Sequence, residues 1–63
     1  MYRLYVKLPD SKRFSPVDWN TGTLVTNLIY ATLFTEQEKA HLIANDLAHP
    51  DNAHITFEFR RAS

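Results

Sequence analysis

Four side chains between positions 41 and 54 carry the donor atoms that a metal or acid–base site needs: His41, Asp46, His49 and His54. Imidazole nitrogens and carboxylate oxygens are ordinary zinc ligands. Their spacing argues against that use. His41 and Asp46 are five positions apart, about 140° around an α-helix, and no pair has the i, i+4 spacing of a helical zinc motif. The plainer reading is solvated histidines at a helix end and in a turn, with His49 favouring a helix C-terminus. Nucleophilic catalysis has less to build on. Ser11 and Ser15 fall in or beside a turn, no motif sets a nucleophile beside a base, and a domain with a single sheet layer leaves little volume for a pocket. The sequence therefore predicts no catalytic residue, no metal ligand and no cofactor.

Two kinds of binding surface remain. In the first, Arg3, Tyr5 and Lys7 alternate with Leu4, Val6 and Leu8. If the aliphatic set faces the core, the other set lies on the open face of a sheet, joined by His54, Thr56, Glu58 and Arg60 from the last segment. Cations that track phosphates, with a ring for a base to stack on, are the elements of single-strand nucleic-acid binding. Arg3, Tyr5, Lys7 and Arg60 are the residues this reading uses, and Lys12, Arg13 and Arg61 could extend its border. Against it, seven Lys and Arg balance seven Asp and Glu, so overall charge gives no support. No glycine-aromatic RNA-binding motif is present either. Glu58 also interrupts the patch, where it can pair with Arg3 or Lys7 across strands for about 0.2–1 kcal/mol.

The second is a protein surface. The chain has 63 residues, eight aromatic rings and no cysteine. A chain this short buries only about 60% of the surface its unfolded form exposes, and no disulfide can staple it. Hiding Tyr2, Tyr5, Phe14, Trp19, Tyr30, Phe34, Phe57 and Phe59 within one copy is difficult. Trp19 beside a turn has the character of an interface anchor. In the stretch from Tyr30 to Phe34, either Tyr30 and Phe34 or Ala31 and Leu33 turn inward. Trp19, Tyr30 and Phe34 are the expected contact residues, and a homodimer or another protein is the expected partner.

The elements that must position these groups are legible to different degrees. Tyr2 to Leu8 alternates as a strand with one buried face. Pro9 to Lys12 reads as a turn, and Phe14 to Trp19 as a second strand in which Pro16 requires an edge or a bulge. Asn20-Thr21-Gly22 is a turn, with the only glycine as its natural positive-φ residue. Thr23 to Ile29 reads as a short helical turn or irregular link leading into a strand from Tyr30 to Phe34, with a single long strand from about Thr23 as the alternative. Thr35 followed by Glu38 is a capping-box signature, opening a helix that runs to about Leu47 with Ala40, Ile43, Ala44 and Leu47 as its apolar stripe. Leu42 lies off that stripe. His49-Pro50 stops the helix near Ala48, and Ile55 to Phe59 alternates as the last strand.

These elements give an α+β fold: one domain over residues 1–63, with a three- or four-stranded, mainly antiparallel sheet and one helix on one face, in the order β-β-(β)-α-β. The expected core is Leu4, Val6, Leu8, Leu33, Ile55, Phe57 and Phe59 with Ala40, Ile43 and Leu47, plus one or more of Phe14, Val17 and Trp19. No apolar run approaches the roughly 20 residues of a membrane-spanning helix. The alternating N-terminus is unlike a signal peptide, so the chain reads as complete and cytoplasmic.

The stretch NLIYATLFTEQE, from Asn27 to Glu38, with FSPVDW before it and ITFEFR after it, resembles short uncharacterised proteins of bacteria and their mobile elements. The likeness covers most of the chain from Phe14 onward. It implies a bacterial or phage origin and carries over no site. The expectation of a non-enzymatic accessory or interaction role rests instead on the missing catalytic constellation and the surplus of aromatic rings.

Overall fold

A computed structural model describes residues 1–62. Its axis is the first strand, β1 (Tyr2–Lys7). The last strand, β5 (Thr56–Arg61), runs antiparallel along its whole length, from Tyr2 opposite Arg61 to Lys7 opposite Thr56. Two short strands share the other side of β1. β2 (Ser15–Asp18) takes one half through Tyr5–Pro16 and Val6–Ser15. β4 (Leu33–Phe34) takes the other through Tyr2–Phe34 and Arg3–Leu33. β3 (Thr23–Leu24) extends the sheet beyond β2.

The α+β class and the antiparallel sheet with one helix are as expected. The sheet has five strands rather than three or four, because the ambiguous segment from Thr23 divides. It opens as β3 and closes as a 3-10 turn over Leu28–Tyr30. The Asn27 side chain caps that turn by accepting from the Ile29 amide at 3.1 Å. Tyr30 therefore belongs to the turn, and the expected strand from Tyr30 to Phe34 shrinks to Leu33–Phe34. Pairing of Tyr2 with Phe34 and Arg3 with Leu33 settles which of those two faces inward. Phe34 joins Leu4 and Val6 under the helix, and Leu33 goes to the open face.

Gly22 has φ +70°, the only positive φ among the described residues. Its amide donates to the Asp18 carbonyl at 2.9 Å. Only glycine holds this backbone shape without steric cost.

The helix α1 (Glu36–Leu42) begins at the capping box read from the sequence. The Glu38 amide donates to Thr35 Oγ1 at 3.1 Å, and the Thr35 amide donates to Glu38 Oε1 at 2.8 Å. These bonds satisfy two donors that a helix start leaves free. Thr35→Ala should cost about 1 kcal/mol, read from urea melts. The Glu38 carboxyl sits below its ordinary range, chiefly through the Thr35 amide and then the Thr35 hydroxyl. The unfolded chain therefore takes up this proton first as pH falls. The stability it contributes is complete above the ordinary carboxylate pKa of about 4.3 and is lost as pH drops through the lower folded value. Glu36 shifts the same way, mainly because the Tyr2 hydroxyl lies beside its carboxylate. Urea midpoints should hold from about pH 7 to 5 and fall towards pH 3. Glu38→Gln, which can still accept the amide, should flatten part of that fall.

Past Leu42 the helix changes period. Residues Ile43–Leu47 form a π turn, in which the Ala48 amide donates to the Ile43 carbonyl at 3.2 Å. A bond from i to i+5 spends one extra residue per turn, so residues five apart fall on one side. Leu42 and Leu47 are both buried as a result, while Ala40, Ile43 and Ala44 face solvent. The stripe expected from regular α spacing is thus corrected everywhere but at Leu47. The core is Leu4, Val6, Val17, Phe34, Leu42 and Leu47, with Ile55, Phe57 and Phe59 packed against it. Leu8 and Leu33, expected inside, are exposed. Leu8 lies past the end of β1, and Leu33 has the wrong parity. Of the three second-strand candidates, Val17 is the one buried; Phe14 is intermediate and Trp19 exposed.

The helix ends at the predicted place. Ala48 caps the π turn, and His49 opens a 3-10 turn over Pro50–Asn52. His49 Nδ1 accepts from the Asp51 amide at 3.2 Å. No helix among the described residues is long and apolar enough to cross a membrane.

Candidate functional site

The open sheet face assembles as the alternation of β1 and β5 requires. Arg3 stands opposite Arg60, Tyr5 opposite Glu58 and Lys7 opposite Thr56. All four residues of the expected nucleic-acid patch share this face, but two of them, Tyr5 and Arg60, are already engaged with each other. The Arg60 guanidinium stacks 4.1 Å over the Tyr5 ring and 5.7 Å from the Phe14 ring. Arg60 Nε also donates to Glu58 Oε1 at 2.7 Å. The cation is matched by a carboxylate, and it covers the ring a base would need. Glu58 pairs along its own strand with Arg60, two residues on, rather than across to Arg3 or Lys7.

The expected contact residues separate. Ile29 is 74% and Tyr30 63% exposed, on a stretch that also leaves Leu24, Leu28 and Leu33 in water. Trp19 is also partly uncovered. Phe34 is a correction as a surface residue. It is 5% exposed and packs edge-on against Phe59 with ring centroids 5.8 Å apart.

Trp19 and Phe34 nevertheless meet, in a cleft of about 430 Å³ whose other lining residues are Gln37, Glu38, His41, Leu42 and Asp46. Each wall has a local cause. Trp19 leaves the end of β2, and its amide donates to Thr32 Oγ1 at 2.8 Å, while the Thr32 amide donates to the Val17 carbonyl at 3.1 Å. The Trp19 backbone is thereby tied to the segment that enters β4. Phe34 and Leu42 form the apolar floor. Gln37, Glu38 and His41 come from successive turns of α1, and Asp46 comes from the π turn. The Asp46 carbonyl accepts from Asn52 Nδ2 at 2.7 Å, which fixes the π turn against the following loop.

His41 and Asp46, five positions apart, would diverge on a regular helix. The π turn brings both to the cleft, for the reason that it buries both Leu42 and Leu47. Single π turns of this kind recur at functional sites. Asn45 Nδ2 donates to the His41 carbonyl at 3.0 Å and lies 3.2 Å from His41 Nδ1. Glu38 keeps one carboxylate oxygen on the capping box.

The resulting chemistry is a ring wall, an aliphatic and aromatic floor, and carboxylates at the rim with no lysine or arginine among the lining residues. That suits a cation on an apolar stem. Among the described residues no group of three His, Cys, Asp or Glu stands close enough to hold a metal ion. Sequence reading named His41 and Asp46 as candidate donors but set them about 140° apart on a regular helix, and it did not place Gln37, Glu38 or Leu42 beside them. Its one available signal was Leu42, a large apolar residue off the helical stripe.

No family model matches the chain, and no curated protein or solved structure matches it significantly.

Proposed function

We propose that this chain is a non-enzymatic accessory protein of bacterial or phage type that acts in the cytoplasm through protein–protein contacts and associates with itself. Segment 24–33 and Trp19 form its contact surface for another protein, and the cleft beside the π turn takes a lysine or arginine side chain of that partner. The observation that carries this reading is the run of uncovered large apolar side chains at Leu24, Leu28, Ile29, Tyr30 and Leu33, tied through Thr32 to the acid-rimmed Trp19 cleft. Uncovered large apolar side chains concentrated in one segment of a small protein are what an interaction site presents. The charge of the cleft selects a basic anchor.

Trp19 is the only tryptophan, so its emission reports on the cleft directly. A short peptide with one central arginine should shift or quench that emission at millimolar concentration, and the citrulline peptide should not. Asp46→Asn should weaken the effect several-fold with the fold intact by circular dichroism. An unchanged emission with arginine and lysine peptides, together with a monomer of about 7 kDa by light scattering at all concentrations, would remove the proposal.

Single-strand nucleic-acid binding through Arg3, Tyr5, Lys7 and Arg60 is the second reading, favoured by their assembly on one face. It requires Arg60 to leave Tyr5 and Glu58. A salt-dependent gel shift abolished by Tyr5→Ala and Arg3→Ala would establish it.

A further inference from the structure

The edge of β5 facing away from β1 has no partner among the described residues. The strand is six residues long, without proline or glycine. Proteins normally blunt such an edge, because its free amides and carbonyls are a template for another strand. The opposite edge of this sheet is blunted, since β3 has two residues.

The Ala62 amide donates to the Met1 carbonyl at 2.9 Å. In an antiparallel ladder, hydrogen-bonded pairs alternate with non-bonded ones. Arg60, Glu58 and Thr56 therefore turn their backbone groups towards β1, and Phe57, Phe59 and Arg61 turn theirs to the free edge.

We infer that two copies of this chain join edge to edge along β5, antiparallel, with a two-fold axis at Phe59. The inference rests on the reading of the chain as self-associating and supplies the surface and register. Three central registers keep both helices on one face of the joint sheet. An axis at Glu58 sets that carboxylate against its own copy, and an axis at Arg60 does the same with two guanidiniums. Like charges directly opposite are destabilising. An axis at Phe59 sets Glu58 opposite Arg60 of the second copy, and Arg60 opposite its Glu58. All three axes set outward-facing backbone groups against outward-facing ones, so the charges choose between them; with the axis at Phe59, that residue exchanges both backbone hydrogen bonds with its counterpart. Glu58 and Arg60 then fall in a non-bonded pair, where side chains stand closest. The Glu58–Arg60 pair already held over Tyr5 becomes half of a four-membered ring of alternating charge. On the helix face, the partly exposed rings of Phe57 and Phe59 gain neighbours.

The chain has no cysteine, which makes a cross-linking test clean. In the Phe59 register, positions 58 and 60 of opposite copies have Cα atoms about 4.5 Å apart, within disulfide range. Glu58→Cys and Arg60→Cys variants, each confirmed folded by circular dichroism, are oxidised separately and as an equal mixture. The mixture should give a covalent heterodimer at least about tenfold faster than either variant alone gives a homodimer. Hydrogen exchange on the unaltered chain is the second measurement. Protection of the Phe57, Phe59 and Arg61 amides should rise at least about tenfold from micromolar to millimolar protein. If light scattering shows a dimer but the mixture has no advantage and those amides stay unprotected, the β5 register is wrong and self-association stands. If the chain is monomeric throughout, both fall.

Discussion

Leu4→Ala is expected to remove a large share of the stability of the fold. Leu4 is 0% exposed, at the middle of the strand that every longer part of the sheet leans on, opposite Phe59. Replacing such a leucine by alanine costs about 2–5 kcal/mol, the transfer term plus the cavity left behind. A 63-residue domain has roughly 3–9 kcal/mol in total, at about 0.05–0.15 kcal/mol per residue. The loss is therefore comparable to the whole. Far-UV circular dichroism across a urea series measures it. A midpoint close to that of the unaltered chain would mean that β1 is not the centre of the core.

The second large effect separates a π turn from a regular helix. Leu42→Ala and Leu47→Ala should each cost about 2–5 kcal/mol, because both side chains are buried. Ile43→Ala should cost less than about 1 kcal/mol, since Ile43 is 38% exposed and little cavity is left there. A regular α-helix with the stripe Ala40, Ile43, Ala44 and Leu47 predicts the reverse order for Leu42 and Ile43. Urea midpoints of the three variants decide the matter, and an Ile43→Ala loss exceeding that of Leu42→Ala would remove the π turn. The cleft depends on the same result, because without the turn Asp46 moves away from His41 and Trp19.

Much of the backbone was legible because its determinants are local. The alternation of Leu4 and Val6 with Arg3 and Tyr5 needs only the two-residue period of a strand. The capping box needs only Thr35 and Glu38, three positions apart, and both of its bonds are present. Gly22 follows from the steric freedom of a missing side chain, and the helix stop follows from Pro50. The open-face placement of Arg3, Tyr5, Lys7 and Arg60 follows from strand parity alone. The stacking of Arg60 on Tyr5 did not, because it depends on which residue of β5 stands beside which residue of β1.

What tertiary structure decided is register, helix period and who meets whom. A leucine at position 42 and another at 47 are compatible with two helix geometries. The choice falls to the one that buries both, since burying a leucine is worth about 1.5–3 kcal/mol and one distorted turn costs less than leaving it wet. That choice also carried His41 and Asp46 to one side, which no local rule about spacing in a regular helix allows. Phe34 went inward and Leu33 outward once Tyr2 had paired with Phe34. The sequence by itself determined a two-period sheet, a capped helix and the absence of cysteine chemistry, all properties of residues within a few positions of one another. The cleft, the free edge of β5 and the uncovered stretch from Leu24 to Leu33 came from contacts between distant residues, whose energies compete only after the chain has closed on itself.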